Sequence, residues 1–161
     1  MKSESEMLSA MAKYCSQSER CLYDVRKKIK AEKLSGEAEK RIINRLVQEN
    51  FIDEKRFCRS FVNDKFKFNH WGRIKICFEL KNRNINPDIY YEAIDAIDDD
   101  EYASVLSDML KSKKRTVNGR SPQDVFQKLH RFASSRGFET PLIINTLKKI
   151  LKNIDYEQPT E

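Results

Sequence analysis

Basic side chains are concentrated in two short stretches of this chain. Between positions 55 and 83 there are nine Lys and Arg residues against two acidic residues, Asp64 and Glu79, and between positions 111 and 120 there are five with no acidic residue. Clustered cations hold anionic partners through summed Coulomb attraction. These stretches therefore predict binding to nucleic acid, an acidic protein surface or an anionic membrane. The alternative for both is a solvated helix face.

Eleven cations of the two stretches are the predicted partner contacts. They are Arg56, Arg59, Lys65, Lys67, Arg73, Lys75, Lys81, Arg83, Lys113, Lys114 and Arg115. Arg56 and Arg59 are close in sequence to Asp53 and Glu54. If any of the eleven residues stabilise the repeats instead of binding a partner, these two are the first candidates. Cations at 113–115 also suit the C-terminal end of a helix, whose dipole favours positive charge.

Apolar residues are interleaved with the first basic stretch. Trp71 precedes a predicted helix start and is expected to pack on Ile76 as a hydrophobic staple, with base stacking as the alternative. Ile74 and Phe78 lie on the opposite side of that helix and are expected to pack against a neighbouring repeat. Otherwise they form an exposed apolar contact.

Patterns typical of catalysis or of metal and cofactor binding are missing from the sequence. It has no phosphate-binding glycine loop, no nucleophile elbow and no His-Glu-x-x-His helix. Its four cysteines lack paired spacing, which predicts reduced thiols and no zinc site, and no apolar run approaches the roughly 18 to 20 residues that span a bilayer. We expect a cytoplasmic binding protein without cofactor or metal, a monomer that neither catalyses a reaction nor binds membranes.

Helices must position the basic residues, since apolar side chains recur every three or four positions and never alternate. Capping residues before Pro87, Pro122 and Pro141 mark helix starts. The spacing predicts nine helices, at 4–14, 21–32, 36–49, 53–66, 72–83, 87–98, 100–114, 121–135 and 140–153.

The apolar pattern repeats after about 50 residues. Val25, Ile76 and Val125 fall in step, and so do further columns through the following helix. The alternative is a chance alignment of amphipathic helices. The repeat predicts an all-α fold of three tandem three-helix units in an elongated, curved array, with bounds 1–52, 53–98 and 99–155 and a flexible tail at 156–161.

Three strings resemble those of a known family. Positions 51–62 read FIDEKRFCRSFV, positions 71–81 read WGRIKICFELK, and positions 24–29 read DVRKKI. The first two resemble the signature runs of the RecX regulatory proteins, and the third resembles an upstream helix of that family. The resemblance covers about 8–97, and Cys21 stands where the family usually has Ser.

The resemblance to the RecX family implies tandem three-helix repeats and a regulatory function. RecX proteins bind the RecA recombinase, especially its filament on single-stranded DNA, and damp its ATPase, strand-exchange and co-protease activities in DNA repair and the SOS response. The partners expected from the resemblance are RecA and its filament, with weak and nonspecific binding to single- or double-stranded DNA. Two alternatives remain: a nonspecific DNA-binding helical module acting alone, and an adaptor for another acidic protein.

Overall fold

The helices expected from the apolar spacing are all present. The computed structural model describes residues 1–151, and in that range the chain forms nine α-helices and no strand, which confirms the all-α prediction. They are α1 (Glu4–Gln17), α2 (Leu22–Ala31), α3 (Gly36–Gln48), α4 (Glu54–Lys67), α5 (Arg73–Asn82), α6 (Pro87–Asp95), α7 (Asp99–Lys114), α8 (Pro122–Ser135) and α9 (Thr140–Ile150). The predicted tail at 156–161 and the last residues of the third repeat lie outside the described residues.

Side-chain caps explain where several helices begin. Oxygen atoms of Ser3, Ser35, Asp98 and Ser121 each accept a hydrogen bond from the backbone N–H three residues on, at 2.9–3.2 Å. Each bond satisfies one of the N–H groups that a helix start leaves unpaired. The expected cap before Pro141 is wrong in detail: the N-cap is Glu139, whose side chain makes no capping hydrogen bond.

Helix α6 is shorter than predicted. It ends at Asp95, whereas the apolar pattern extended it to position 98. Asp98 instead caps α7, and its extended backbone, with φ −63° and ψ 128°, is incompatible with a continuing helix. The acidic run at 98–100 therefore serves as a helix start.

The residues aligned by the repeat occupy equivalent positions in the core. Ile29, Leu80 and Leu129 are all at most 1% exposed, and in the next column Ile43, Ile94 and Leu147 are all buried. The helices thus follow one another as three-helix repeats, α1–α3, α4–α6 and α7–α9. The residue bounds assigned to the three repeats stay a prediction.

The chain also divides into two compact units, and the first contains Met1–Asn63 and Phe78–Ile94. In this unit 1, α3 packs against α1 and α2. A continuous cluster of buried apolar side chains fills the space among these helices: Met7, Met11, Cys15, Val25, Ile29, Ile42, Ile43, Leu46 and Ile52.

Unit 2 contains Asp64–Cys77 and the chain from Asp95 onward. Helices α7, α8 and α9 pack on one another in this unit. Tyr102 is 1% exposed, and its ring centroid lies 5.0 Å from that of Phe138 and 5.7 Å from that of Phe66. Phe66, near the end of α4, is thereby joined to the core of the third repeat.

The four cysteines are free thiols, and they differ in accessibility. Cys21 and Cys58 are 0% exposed, and burial raises the pKa of each to about 12. Cys77 is only partly buried. Because the thiolate is the reactive form, a disulfide reagent at mildly alkaline pH should modify Cys77 first and the other three only after unfolding.

The measurement is mass analysis after timed labelling with and without urea. Fast labelling of Cys58 in the folded protein would contradict the packing described here. Since the folded-state pKa values are raised, stability should also fall as the pH rises above the ordinary thiol value of 9.0, where the unfolded chain ionises first.

Candidate functional site

The two basic stretches approach one another within unit 2. His70, in the turn between α4 and α5, lines the same cleft as Lys113 of the second stretch, and Phe132 of α8 forms part of the wall. The cleft has a volume of about 420 Å³ and also contacts Val105, Asp108, Met109, Ser112 and Thr116 of α7 and its C-terminal end. His70 and Lys113, which are 43 positions apart in sequence, thus line one cleft of this unit.

A single tryptophan lies at the centre of the first basic stretch. The Trp71 ring centroid is 4.9 Å from Nζ of Lys65 and 4.5 Å from Nζ of Lys75, so two ammonium groups lie within cation–π distance of one indole. The backbone N–H of Trp71 donates to the carbonyl of Lys65 at 2.9 Å, and His70 adopts a left-handed conformation with φ 56°. The turn therefore holds the ring in a defined place beside the two lysines.

Exposed apolar side chains flank this tryptophan. Phe68 is 77% exposed and Ile74 is 56% exposed. The expectation that Ile74 and Phe78 pack against a neighbouring repeat is wrong, since Phe78, in unit 1, is 59% exposed as well. We define the Trp71 surface as Lys65, Lys67, Phe68, Trp71 and Lys75; it combines three cations with two aromatic rings.

Arg73 lies in a different environment from the lysines near it. Its Nη2 donates to the Asp99 carboxylate at 2.8 Å and to the Ile97 carbonyl at 3.2 Å. Its Nη1 lies 3.8 Å from Glu139, and the guanidinium stacks 4.1 Å from the Tyr102 ring centroid. With its side chain only 23% exposed, Arg73 braces the start of α5 against α7 and the start of α9. Arg73 is therefore not part of the Trp71 surface.

Backbone groups complete the junction at the start of α5. The N–H of Gly72 donates to the Arg136 carbonyl at 2.7 Å, and the N–H of Ile74 donates to the Gly137 carbonyl at 3.0 Å. The N–H of Arg73 donates to the Tyr102 hydroxyl at 2.9 Å, and that hydroxyl donates to the Glu139 carboxylate. Burial, together with the bond to Glu139, raises the pKa of Tyr102. Three N–H groups at the start of α5, those of Gly72, Arg73 and Ile74, are thus paired within the fold.

Two further predicted contacts are engaged inside unit 1. The Arg56 guanidinium donates to Glu19 at 2.5 Å and to the Asn50 carbonyl at 3.0 Å. The Arg83 guanidinium donates to the Glu79 carbonyl at 3.2 Å and lies 4.9 Å from the Phe61 ring centroid. Arg56 thus stabilises the fold, as expected from its position near acidic residues. Arg59 and Lys81, by contrast, are exposed.

The second basic stretch lies at the C-terminal end of α7. Nζ of Lys113 is 5.0 Å from the Phe132 ring centroid, while Lys114 and Arg115 are exposed. Positive charge is favoured there by the helix dipole, and the stems of such side chains can cover apolar surface while their charges stay in water. Lys113 thus lines the cleft, and Lys114 and Arg115 next to it in sequence are accessible to a partner.

Residues 1–151 contain neither a metal-binding cluster nor a membrane-spanning helix. No group of three or more His, Cys, Asp or Glu residues there has the arrangement that holds a metal ion. No helix in the same range is long and apolar enough to cross a membrane.

Comparison with known proteins gives a consistent set of similarities. A family model described as "RecX, second three-helix domain" matches residues 53–94. Proteins named "Regulatory protein RecX" are similar: that of Clostridioides difficile is 27% identical over 81% of this chain and 63% of its own length. That of Prosthecochloris aestuarii is 29% identical over 81% of this chain and 83% of its own length.

The relatives differ in how much of their length is matched. The Lactobacillus johnsonii protein is 24% identical, and this chain spans only 51% of it. Among solved structures, RecX from Lactobacillus salivarius superposes with a TM-score of 0.79 at 18% identity, covering 94% of this chain and 97% of that one. The similarity to this solved structure supports the all-α fold.

Proposed function

We propose that this chain is a member of the RecX family, a regulatory protein that binds RecA and the filament RecA forms on single-stranded DNA. Binding lowers the ATPase, strand-exchange and co-protease activities of RecA. The protein acts in the cytoplasm, as a monomer and without a catalytic step of its own.

The Trp71 surface is the observation that carries this proposal. An anionic filament attracts cations, and exposed aromatic rings supply contact area at low conformational cost. Unit 2 has both: the exposed Phe68 ring, the half-buried Trp71 ring beside the ammonium groups of Lys65 and Lys75, and the cleft of His70 and Lys113. We therefore propose Lys65, Lys67, Lys75, Lys113, Lys114 and Arg115 as the main contacts, with Arg59 and Lys81 of unit 1 adding to them.

Inhibition follows from repetition of these contacts along a filament. A filament offers the same protein surface many times, so contacts that are individually weak add once the first is made. A protein seated on several protomers would block entry of the duplex or loosen the packing between protomers. Either effect requires that the chain bind one filament state more tightly than the other.

Co-sedimentation tests the binding directly. Purified protein mixed with RecA filaments on single-stranded DNA should pellet with the filaments, and more should pellet than with the same DNA lacking RecA. Equal recovery with and without RecA would instead favour the alternative function, a nucleic-acid-binding module that acts alone. The basic and aromatic character of the Trp71 surface is compatible with that alternative, so the DNA-only arm is essential.

A further inference from the structure

Helix α2 in unit 1 carries a row of polar residues that the basic stretches above do not include. Tyr23, Arg26, Lys27 and Lys30 are spaced three, four and seven positions along the helix, which places them on one face. Val25 and Ile29 occupy the buried face. Tyr23 is 42% exposed, and the three cations are exposed as well. The row therefore presents one aromatic ring followed by three positive charges.

The row forms one wall of a cleft. Glu54, the first residue of α4, and Arg83 and Asn84, at the end of α5, form the rest of the lining with Leu22, and the volume is about 380 Å³. That volume is within the range of ligand-binding clefts. Four cations line it against one carboxylate, so an anionic ligand is favoured.

The cleft is built from fixed elements. Glu54 accepts a hydrogen bond from the backbone of Leu22, which ties the start of α4 to the start of α2, and burial raises the pKa of its carboxyl group. Arg83 is anchored by the Glu79 carbonyl and the Phe61 ring. Arg26 forms a long ion pair with Glu39 at 3.9 Å, and its side chain is 51% exposed. The walls are thus held in place while charges on the α2 row stay open to a ligand.

We propose that this cleft, formed by Tyr23, Arg26, Lys27, Lys30 and Arg83, binds a short segment of single-stranded nucleic acid. The phosphates lie along the cations of α2, and one base stacks on the Tyr23 ring.

A single strand fits this arrangement better than other anions. Arg26 and Lys30 are one helical turn apart, about 6 Å along the axis, so they present charge along a line, as a polyanion does. Bases of a single strand have free faces that stack on aromatic side chains, whereas bases in a duplex are already stacked on each other. An acidic protein segment would use the same cations but would have no need of the exposed ring.

Anisotropy of a fluorescent oligothymidylate tests the proposal with the full chain. The double variant Lys27→Gln/Lys30→Gln should make the plot of log affinity against log salt shallower by about 1.4, which is about 0.7 for each lost phosphate contact. The matched control, Lys13→Gln/Lys40→Gln, removes the same charge from exposed positions elsewhere in unit 1 and should leave the slope nearly unchanged. Equal slopes for the two double variants would overturn the proposal.

The tyrosine supplies an independent arm. Tyr23→Ala should weaken binding by roughly fivefold or more, whereas Tyr23→Phe, which keeps the ring, should bind as tightly as the native protein. A Tyr23→Ala variant of unchanged affinity would rule out base stacking. The side chains replaced are exposed, so each variant should fold like the native protein. Circular dichroism of each variant checks this.

A second probe, fluorescent polyglutamate, separates the ligand classes. If the double variant loses binding to fluorescent polyglutamate but keeps native binding to the oligothymidylate, the cleft holds an acidic protein segment and the proposal is wrong. None of these measurements includes RecA, so they can fail while the proposed regulation of RecA holds, and the reverse is equally possible.

Discussion

Replacing Gly72 with alanine should lower the free energy of unfolding by about 1–3 kcal/mol, whereas the same change at Gly36 should leave stability nearly unchanged or slightly raise it. A Cβ on Gly72 would lie 2.3 Å from the carbonyl oxygen of Gly137. The contact is between backbones, and a hydrogen bond of 2.7 Å from Gly72 to Arg136 holds them together. No rotamer change can relieve it.

Gly137→Ala should be more damaging still. Gly137 has φ +92°, a conformation that L-residues rarely adopt, and an added Cβ would lie 2.3 Å from Cβ of Lys75. The left-handed backbone adds roughly 1–2 kcal/mol to the steric cost. The first residue of α3, Gly36, is the matched control because nothing lies within 4 Å of its added Cβ.

Urea unfolding followed by circular dichroism measures these changes. The expected order of stability is Gly36→Ala at or above the native protein, then Gly72→Ala, then Gly137→Ala. If Gly72→Ala were as stable as Gly36→Ala, the close approach of the α5 start to residues 136–138 would be wrong.

The second large effect is expected on RecA rather than on folding. Lys67→Glu/Lys75→Glu should raise the concentration needed for half-maximal inhibition of RecA by at least about tenfold. Each reversal replaces an attraction of about 1 kcal/mol at contact distance in water with a repulsion of similar size. Tenfold corresponds to about 1.4 kcal/mol, so two reversals suffice.

Stability should change much less in this variant. Lys67 is exposed in the last turn of α4, and Lys75 gives up a cation–π contact with Trp71 that is worth about 0.5–1 kcal/mol at an exposed site. Lys148→Glu/Lys149→Glu is the control, because it reverses two exposed charges in the last turn of α9. Equal inhibition by the two double variants would remove the Trp71 surface from the proposal.

Charge reversal at Arg73 would affect folding as well as binding. A carboxylate at position 73 would face Asp99 and Glu139, so charge reversal there would destabilise the junction and confuse folding with binding. Lys75, two residues later, has its ammonium beside Trp71 instead. Neighbouring cations on one helix thus have separate roles.

Local signals in the sequence were sufficient for the fold. Capping residues such as Asp98 and Ser121 act on amides three positions away, and the apolar period of a helix is a property of one segment. The boundaries follow from these short-range interactions, as does the correspondence of Ile29, Leu80 and Leu129. Where two local signals competed, at the end of α6, the cap at Asp98 prevailed over the apolar period.

The site depends on contacts that no local pattern reveals. Tyr102 meets the Arg73 N–H from 29 positions away and Glu139 from 37 positions away. Charge alone therefore could not separate Arg73, a bracing residue, from Lys75. The cleft in unit 1 was missed for the same reason, since Arg83 joins the α2 row only through the tertiary fold. The i, i+3, i+4, i+7 spacing of that row can be read from the sequence. The residues that form the opposite wall of the cleft cannot.

The most direct test of the proposed function is the RecA ATPase measured on single-stranded DNA during titration with the native protein. The regulatory role predicts a progressive, saturable loss of ATP hydrolysis that remains when the DNA is in excess. It also predicts that the Lys67→Glu/Lys75→Glu curve is displaced to higher concentration while the Lys148→Glu/Lys149→Glu curve overlies the native one. An ATPase rate that stays constant across the titration, or that falls only when DNA becomes limiting, would contradict the account.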